Sequence, residues 1–413
     1  MTRLPPSRRS LLAAAAGLGV SVAFLGRVAA ADDAVARRKL VVVVARGGMD
    51  GLSVAPPVGD PDYAALRGRI AIAPDRALGL DATFGLHPAL AGVHALALEG
   101  QARIAPAIAS PDRARSHFEA QDVLESGATA VYGAASGFLN RALEAGGGRP
   151  IAALSVGATA PLILRGPVRT GSWSPGPAGE GSPRLPAILT DLYADDPLLA
   201  PALANGLATL AMAATAQSGL DAAMVDTLPP AAGGGVQAFI RQGQANARGL
   251  GRTVAGFMVQ PAGPQVTAVS VDGWDTHANQ GAAEGQLANR LLNLDALLAG
   301  LVEGLGPAWA ETVVVVATEF GRTARINGTG GTDHGTGSTA LVLGGGLKRG
   351  GLIGDWPTLR AEALFEARDV RPTLDMRALF KGVLHEHLGL DRRALDEAVF
   401  PGSAGIAPVA GLL

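Results

Sequence analysis

The chain has 413 residues, of which 48% are hydrophobic and 17% are charged, so it is long enough to bury a large core. Its formal net charge of -2 gives no electrostatic attraction to nucleic acid or to an anionic membrane surface, and we expect neither as a partner. The chain contains no cysteine, which excludes disulfides, thiolate zinc sites, iron–sulfur clusters and cysteine nucleophiles. An enzyme of this composition must use oxygen and nitrogen ligands or a hydroxyl nucleophile.

The N-terminal segment has the layout of an export signal. Arg8 and Arg9 precede an apolar stretch, Leu11 to Leu25, and the small residues Val28 to Ala31 follow it. The apolar stretch is shorter than the roughly 20 residues of a membrane-spanning helix. Adjacent arginines before Ser-Leu-Leu resemble the twin-arginine type of signal. We therefore predict that residues 1–31 are a signal peptide, which the twin-arginine translocase recognises during export. The alternative is an uncleaved anchor helix.

The mature chain is predicted to be a periplasmic or secreted protein without a stable membrane span. Five apolar segments, rich in β-branched residues, are too short for helices and are typical of strands buried on both faces of a parallel sheet. Helical patterns lie between them, which predicts an α/β fold: a mostly parallel sheet with helices on both faces. The predicted strands are Leu40–Val44, Ala102–Ser110, Gln265–Asp275, Glu311–Gly321 and Ser338–Gly346.

Residues 32–413 are expected to form a single domain. An alanine-rich stretch at about residues 185–258 has a helical period, with the sequence PPAAGGG as a break. We interpret this stretch as a helical insertion into the domain. The sequence MRALFKGVLHEHLGL predicts a helix that closes the fold.

Polar clusters follow four of the five predicted strands. In sheets of this kind, ligands bind beyond the carboxyl ends of the strands, so these clusters are candidate sites. Their carboxylates and imidazoles are ligands that zinc, manganese or calcium sites use. A hydrogen-bonded structural network without a metal is the alternative. The candidate ligands are Asp50, Asp275, His277, Glu319, Asp333 and His334.

Ser116 stands directly before a predicted helix, His117–Ser126. With Glu119 three residues later it matches a capping box, in which the serine only caps the helix. A hydroxyl at this place also faces free amide donors and the positive end of the helix dipole, which favour an anion or an alkoxide. The residues alone leave both interpretations open.

Several of these motifs together resemble one bacterial family. The twin-arginine leader, GGMDGLS, RSHFEAQD, GWDTHANQ and TEFGRTARINGTGGTDHG followed by VLGGGLKRG are similar to the family called domain of unknown function 1501. That family is grouped with the alkaline phosphatase and sulfatase superfamily. The resemblance covers nearly the whole mature chain, from about residue 38. It implies an alkaline-phosphatase-like α/β core with a metal site at the carboxyl ends of the strands.

The superfamily pattern implies roles for individual residues. Asp50 matches the acid after the first strand, and Ser116 matches the nucleophile at a helix N-terminus. Asp275 and His277 match an acid and a histidine from a later strand.

As a sequence motif, Asp333-His334 resembles the superfamily's Asp-His pair. That pair directly follows a β-branched strand, however, and in this chain Glu319 and Phe320 stand at that position. His334 then takes the place of a last, lone histidine before another strand, with Asp333 as its orienting partner. The resemblance therefore implies one well-formed divalent metal site rather than two, because a phenylalanine replaces one expected histidine.

The sequence thus predicts an exported metal-dependent hydrolase that acts on a phosphate or sulfate ester, in a small molecule or a polymer. The alternative is a non-catalytic periplasmic binding or assembly protein with an incomplete metal site. The predicted catalytic residues are Ser116 and Arg322. The predicted metal ligands are Asp50, Asp275, His277, Glu319 and His334. The predicted supporting residues are Asp333, His117, Arg46, Arg115 and Asn327, with the three arginines 46, 115 and 322 able to pair with substrate oxygens.

Overall fold

A computed structural model describes residue 35 and residues 37–147, 153–156, 161–174, 185–224, 236–348 and 350–413. The chain divides into two units, Met1–Arg38 and Lys39–Leu413, and the fold lies in the second. The predicted signal peptide and the PPAAGGG break lie outside the described residues.

The described part of Lys39–Leu413 contains an eight-stranded sheet and a small antiparallel pair, β2 and β3. The strand order in the large sheet is β10-β4-β9-β8-β1-β7-β5-β6. All five predicted strands are present, and the prediction of a mostly parallel α/β fold is confirmed. The strands are β1 Lys39–Arg46, β2 Leu78–Gly79, β3 Gly85–Leu86, β4 Ala102–Ala109, β5 Ala153–Val156, β6 Thr170–Trp173, β7 Val266–Asp272, β8 Thr312–Ala317, β9 Ser338–Gly344 and β10 Leu374–Asp375.

Helices cover both faces of the sheet. The predicted helix after Ser116 and the predicted closing helix are both present, as α4 and α10. The helices are α1 Gly51–Val54, α2 Tyr63–Arg67, α3 Ala91–Leu98, α4 His117–Ser126, α5 Phe138–Ala145, α6 Leu185–Leu192, α7 Leu199–Met224, α8 Val236–Met258, α9 Gln286–Leu305, α10 Met376–Leu388 and α11 Arg392–Ala394.

Strand β1 explains why the sheet needs helices on both sides. Successive side chains of a strand point to opposite faces, and β1 is apolar at every position from Leu40 to Ala45. Leu40, Val42 and Val44 belong to one buried cluster, which includes residues of α5 and α10. The alternate residues belong to a second cluster, which includes residues of α3, α8 and α9.

The alanine-rich stretch is helical where the structure describes it, in α6, α7 and α8. Helix α8 packs along α9. It places Val254, Phe257 and Met258 in the same buried cluster as the leucines of α9. This stretch therefore adds to the core beside the sheet.

One helix in the described part of the chain, Gln286–Glu311, is long and apolar enough to cross a membrane. It contains α9, whose Leu287, Leu291 and Leu298 are buried in the core. We interpret α9 as a core helix on this ground.

Strand β9 decides which loops meet. It runs antiparallel to both of its neighbours, β4 and β8, whereas β1 is parallel to β7 and β8. The start of β9, at Ser338, therefore lies at the edge where the parallel strands end. The glycine-rich segment 330–337, which precedes β9, reaches that edge together with the loops that follow β1, β7 and β8.

Candidate metal centre

The glycines of segment 330–337 let its backbone touch two neighbouring loops. A Cβ atom at Gly331 would lie closer than 3.0 Å to the backbone of His277, and one at Gly335 would lie closer than 3.0 Å to the backbone of Arg322. Side chains do not tolerate such approaches, so these positions require glycine. This close packing brings Asp333 and His334 up to the loop after β7.

Three imidazole rings converge on the Asp275 carboxylate. Nε2 of His277 and Nε2 of His334 lie 3.0 Å and 3.3 Å from Asp275 Oδ1. Nε2 of His117 lies 3.5 Å from Asp275 Oδ2. The ligand atoms of His117, Asp275 and His334 all lie within 4.8 Å of one another. We call these four residues, His117, Asp275, His277 and His334, the Asp275 cluster.

The other ring nitrogen of each histidine has an acceptor as its partner. A carboxylate or carbonyl oxygen only accepts, so each Nδ1 carries a proton, and each ring in its neutral form presents the lone pair of Nε2 to the cluster. This is the usual way in which proteins orient a metal-binding imidazole. The Nδ1 contacts are His117 to Glu319 Oε1 at 2.8 Å, His334 to the Arg115 carbonyl at 2.9 Å and His277 to Asp333 Oδ1 at 3.3 Å.

The spacing of the lone pairs fits a cation. The Nε2 atoms of His277 and His334 are 3.0 Å apart, so two neutral rings that both carry the proton on Nδ1 would bring their Nε2 lone pairs face to face. In a tetrahedral site with Zn–N bonds of about 2.0 Å, two ligand nitrogens lie ~3.3 Å apart. Nε2 of His117 is buried and has no hydrogen-bond partner among the described residues. The donor set therefore fits a divalent metal of the zinc or manganese kind, and fits calcium less well because calcium takes oxygen ligands.

Glu319 lies behind His117 and not among the converging nitrogens. Its buried carboxylate accepts hydrogen bonds from His117, from Gly47 N at 2.8 Å and from Gln121 Nε2 at 3.2 Å. Burial alone would raise the pKa of Glu319, but the bond from His117 and the backbone donors outweigh it and lower that pKa. The hydrogen bond to Glu319 in turn raises the pKa of His117. The structure thus brings His117, predicted as a supporting residue, to the cluster, and places Glu319, predicted as a ligand, at the Nδ1 atom of His117.

Arg322, predicted as a catalytic residue, positions Asp275. Its side chain is fully buried, and Nη2 donates to Asp275 Oδ1 at 2.5 Å. Nε donates to the Gly48 carbonyl at 2.6 Å, and Nη1 donates to the Thr332 carbonyl at 3.1 Å. Burial raises the pKa of Asp275, but the bond from Arg322 lowers it and leaves the net shift downward. A guanidinium committed in this way connects the loops after β1 and β7 with segment 330–337.

Asp50, predicted as a metal ligand, lies in a different group of side chains. It forms a buried ion pair with Arg67, and its Oδ2 also accepts from Ser53 Oγ at 2.8 Å and Gln280 Nε2 at 2.6 Å. We call these four residues the Asp50 network. The structure does not bring Asp50 into the Asp275 cluster, because Arg67 already balances its charge.

The partners of Asp50 were not predicted from the sequence. Gln280 belongs to the GWDTHANQ motif, three residues after His277, so the motif itself carried a signal for it. Arg67 lies in the last turn of a short helix and has no such signal.

Phe320 forms an apolar wall of the Asp275 cluster. Its ring centroid lies 4.9 Å from that of His117 and 4.8 Å from that of His334, and the side chain is buried. The aromatic ring thus occupies the place where the resemblance called for another histidine. Within the described residues, one group of potential metal ligands is found.

Ser116 begins α4 beside the cluster. Its side chain makes no capping hydrogen bond, so the capping box with Glu119 is not formed. The carbonyl of Arg115 binds His334, and Arg115 has a positive φ of 58°, which is uncommon outside glycine. The serine hydroxyl therefore lies at an uncapped helix N-terminus. Its neighbours in the chain are Arg115, whose carbonyl orients His334, and His117, which belongs to the Asp275 cluster.

The remaining predicted residues fasten the surrounding loops. Arg46 and Arg115 use their guanidinium groups in ion pairs inside the protein, and Asn327 orients Asp333. These contacts are Arg46 to Glu125, Arg115 Nε to Asp369 Oδ2 at 3.0 Å and Asn327 Nδ2 to Asp333 Oδ1 at 3.1 Å.

Comparisons with known proteins give one family and several distant structural likenesses. The family described as "Protein of unknown function (DUF1501)" matches residues 37–399. No curated protein sequence matches the chain significantly. The C-terminal periplasmic domain of EcEptC from Escherichia coli, in complex with Zn, is 11% identical with a TM-score of 0.33 over 75% of this chain and 73% of that chain. Ps i-CgsB in complex with k-i-k-neocarrahexaose is 10% identical with a TM-score of 0.37 over 90% of this chain and 77% of that chain. Likenesses this distant do not identify an activity.

Proposed function

The chain belongs to the DUF1501 family of proteins of unknown function, and we propose that it is a metal-dependent hydrolase acting on a phosphate or sulfate ester. One observation carries this proposal. Three imidazole Nε2 atoms converge on the Asp275 carboxylate, and each Nδ1 is held by an acceptor. Imidazoles that are oriented in this way around a carboxylate supply the donor set of a divalent metal site.

The Asp275 cluster would hold the metal, with Glu319, Asp333 and the Arg115 carbonyl orienting its imidazoles. A divalent ion held by these residues would supply Lewis-acid chemistry: it would polarise an ester oxygen and lower the pKa of a hydroxyl or water beside it. Zinc and manganese suit this mixture of nitrogen and oxygen ligands.

Ser116 is the proposed nucleophile. Its oxygen forms a bond to the phosphorus or sulfur atom while the bond from that atom to the leaving oxygen breaks, and the serine proton ends on the released alcohol. Water then cleaves the serine ester and restores the hydroxyl. The free amides at the start of α4 face the negative charge of the transferred group, and Phe320 keeps water from one side of the imidazoles.

Export belongs to the same proposal. We propose that residues 1–31 direct the folded protein through the twin-arginine translocase to the periplasm or beyond. This route suits a protein that acquires a metal before transport.

Replacement of Ser116 by alanine tests the nucleophile. Protein purified from the periplasm is analysed for metal content and assayed on aryl phosphates and aryl sulfates. We expect Ser116→Ala to lose hydrolysis by at least ~100-fold and to keep its metal, because its side chain is not among the ligands. The exposed Ser174 offers the matched control, Ser174→Ala, with wild-type rates. Full activity in Ser116→Ala would remove its proposed role.

A non-catalytic binding or assembly function is the second candidate. Phe320 and the Asp50–Arg67 pair favour it, since they fill places where a second metal site would need ligands. A stoichiometric metal without turnover of any ester in the panel would support this candidate. Protein purified with no metal would contradict the metal centre in both candidates.

A further inference from the structure

A cavity of about 300 Å³ opens beside the metal centre. Its apolar surface comes from Leu66, Ile326 and Leu364, and its basic groups are Arg325 and Arg368. A volume of this size is at the lower end of the range for small-molecule pockets. It suits a group about the size of one aromatic or sugar ring.

The cavity shares two residues with the support of the metal centre. Asp333 lines the cavity and contacts Nδ1 of His277 at 3.3 Å. Arg368 lines the cavity and donates to the His334 carbonyl at 2.7 Å. A molecule in the cavity would therefore contact the two residues, Asp333 and Arg368, that in turn contact His277 and His334.

The available charge in the cavity is positive. Arg325 is exposed, and within the described residues its guanidinium has no hydrogen bond or ion pair. Arg368 has 39% of its side chain exposed, and besides its bond to the His334 carbonyl it makes a 3.3 Å pair with Asp369. The carboxylate of Asp333 is already engaged by Asn327 and His277.

We propose that this cavity binds the leaving-group part of the ester substrate, and that this part is an organic anion with an apolar body. The planar guanidinium of Arg325 pairs with a carboxylate or a second ester oxyanion through two parallel hydrogen bonds. Leu66 and Leu364 contact the apolar body. This inference rests on the proposed function, because it names the substrate class of the same site.

Binding of 4-hydroxybenzoate, without any ester, tests the cavity independently of turnover. We expect calorimetry to detect binding to the wild-type protein, and Arg325→Gln to weaken it about tenfold, which is the loss of one charge-assisted pair. Arg325→Lys keeps the positive charge but cannot donate two parallel hydrogen bonds, so its affinity should lie between those of the wild type and Arg325→Gln. The exposed Arg393, paired with Glu397, supplies the control Arg393→Gln with unchanged affinity. Equal affinity in wild type and Arg325→Gln, or no binding at all, would overturn the proposal.

A second measurement compares two esters of the class that the protein hydrolyses, one with a 4-carboxyphenyl and one with a 4-methylphenyl leaving group. Arg325→Gln should raise KM about tenfold for the carboxylated ester only, and leave kcat unchanged for both. Hydrolysis of both esters with no effect of Arg325→Gln would refute the cavity and leave the proposed function intact. Arg325-dependent binding of 4-hydroxybenzoate without hydrolysis of any ester would refute the proposed function and leave the cavity intact.

Discussion

Asp275 and Asp50 occupy similar positions in the fold but have different partners. Each carboxylate follows a strand of the parallel pair β7 and β1, at the same edge of the sheet. Asp50 is 1% exposed and bound to the buried Arg67. The Asp275 side chain is 43% exposed and faces three imidazole nitrogens. Strand position thus brings a carboxylate to the site, and its partners decide whether it can bind a metal.

An arginine touches both carboxylates, but with different consequences. Arg67 is the charged partner of Asp50, and a metal at Asp50 would have to displace it against the cost of burying an unpaired guanidinium. Arg322 uses most of its donors on backbone carbonyls and gives Asp275 a single contact, at Oδ1, so both carboxylate oxygens stay within reach of the imidazoles. The comparison leads to three further predictions.

The largest expected effect is the loss of metal from His334→Ala. The variant removes an imidazole that contacts both Asp275 and His277 in the cluster. We therefore expect elemental analysis to find substoichiometric metal, and we expect no hydrolysis above background. His94, which is half-buried and whose Nε2 lies 2.9 Å from the Gly79 carbonyl, supplies the control His94→Ala with full metal content. Equal metal content in His334→Ala and His94→Ala would contradict the assignment of His334 as a metal ligand.

Arg67→Met should destabilise the protein and spare the metal. It leaves the Asp50 carboxylate buried without its counter-charge, which costs about 3–5 kcal/mol of unfolding free energy. Denaturant unfolding measures this loss, and the double variant Arg67→Met/Asp50→Asn should recover much of it because the unpaired charge is gone. Loss of metal from Arg67→Met with normal stability would instead place Asp50 among the ligands.

Glu319→Gln tests whether Glu319 orients His117 or binds the metal itself. If Glu319 orients His117, the variant should bind zinc about 10–100-fold more weakly and still reach full stoichiometry at saturating zinc. Glu119→Gln on the same helix is the matched control, since Glu119 makes no capping contact. A complete loss of zinc binding would identify Glu319 as a ligand, and an unchanged affinity would remove it from the site.

Much of the fold follows from local pattern. The runs at Leu40–Ala45 and Thr312–Ala317 are apolar at every position, and such runs are stable only between two layers of helices. The short strands β5, β6 and β10 escaped prediction, because two to four residues carry too little periodicity. Position after a strand was enough to select Asp275, His277 and His334 from the sequence.

The sequence by itself determined the α/β layers and the sheet edge at which polar groups gather, because hydrophobic period and strand ends are local properties. Only the tertiary structure decided what each group does there. The direction of β9 brings His334 to the edge, and the bond between His117 and Glu319 joins residues 202 positions apart. Whether a carboxylate meets an imidazole or an arginine depends on such long-range packing, which no single segment of the chain encodes.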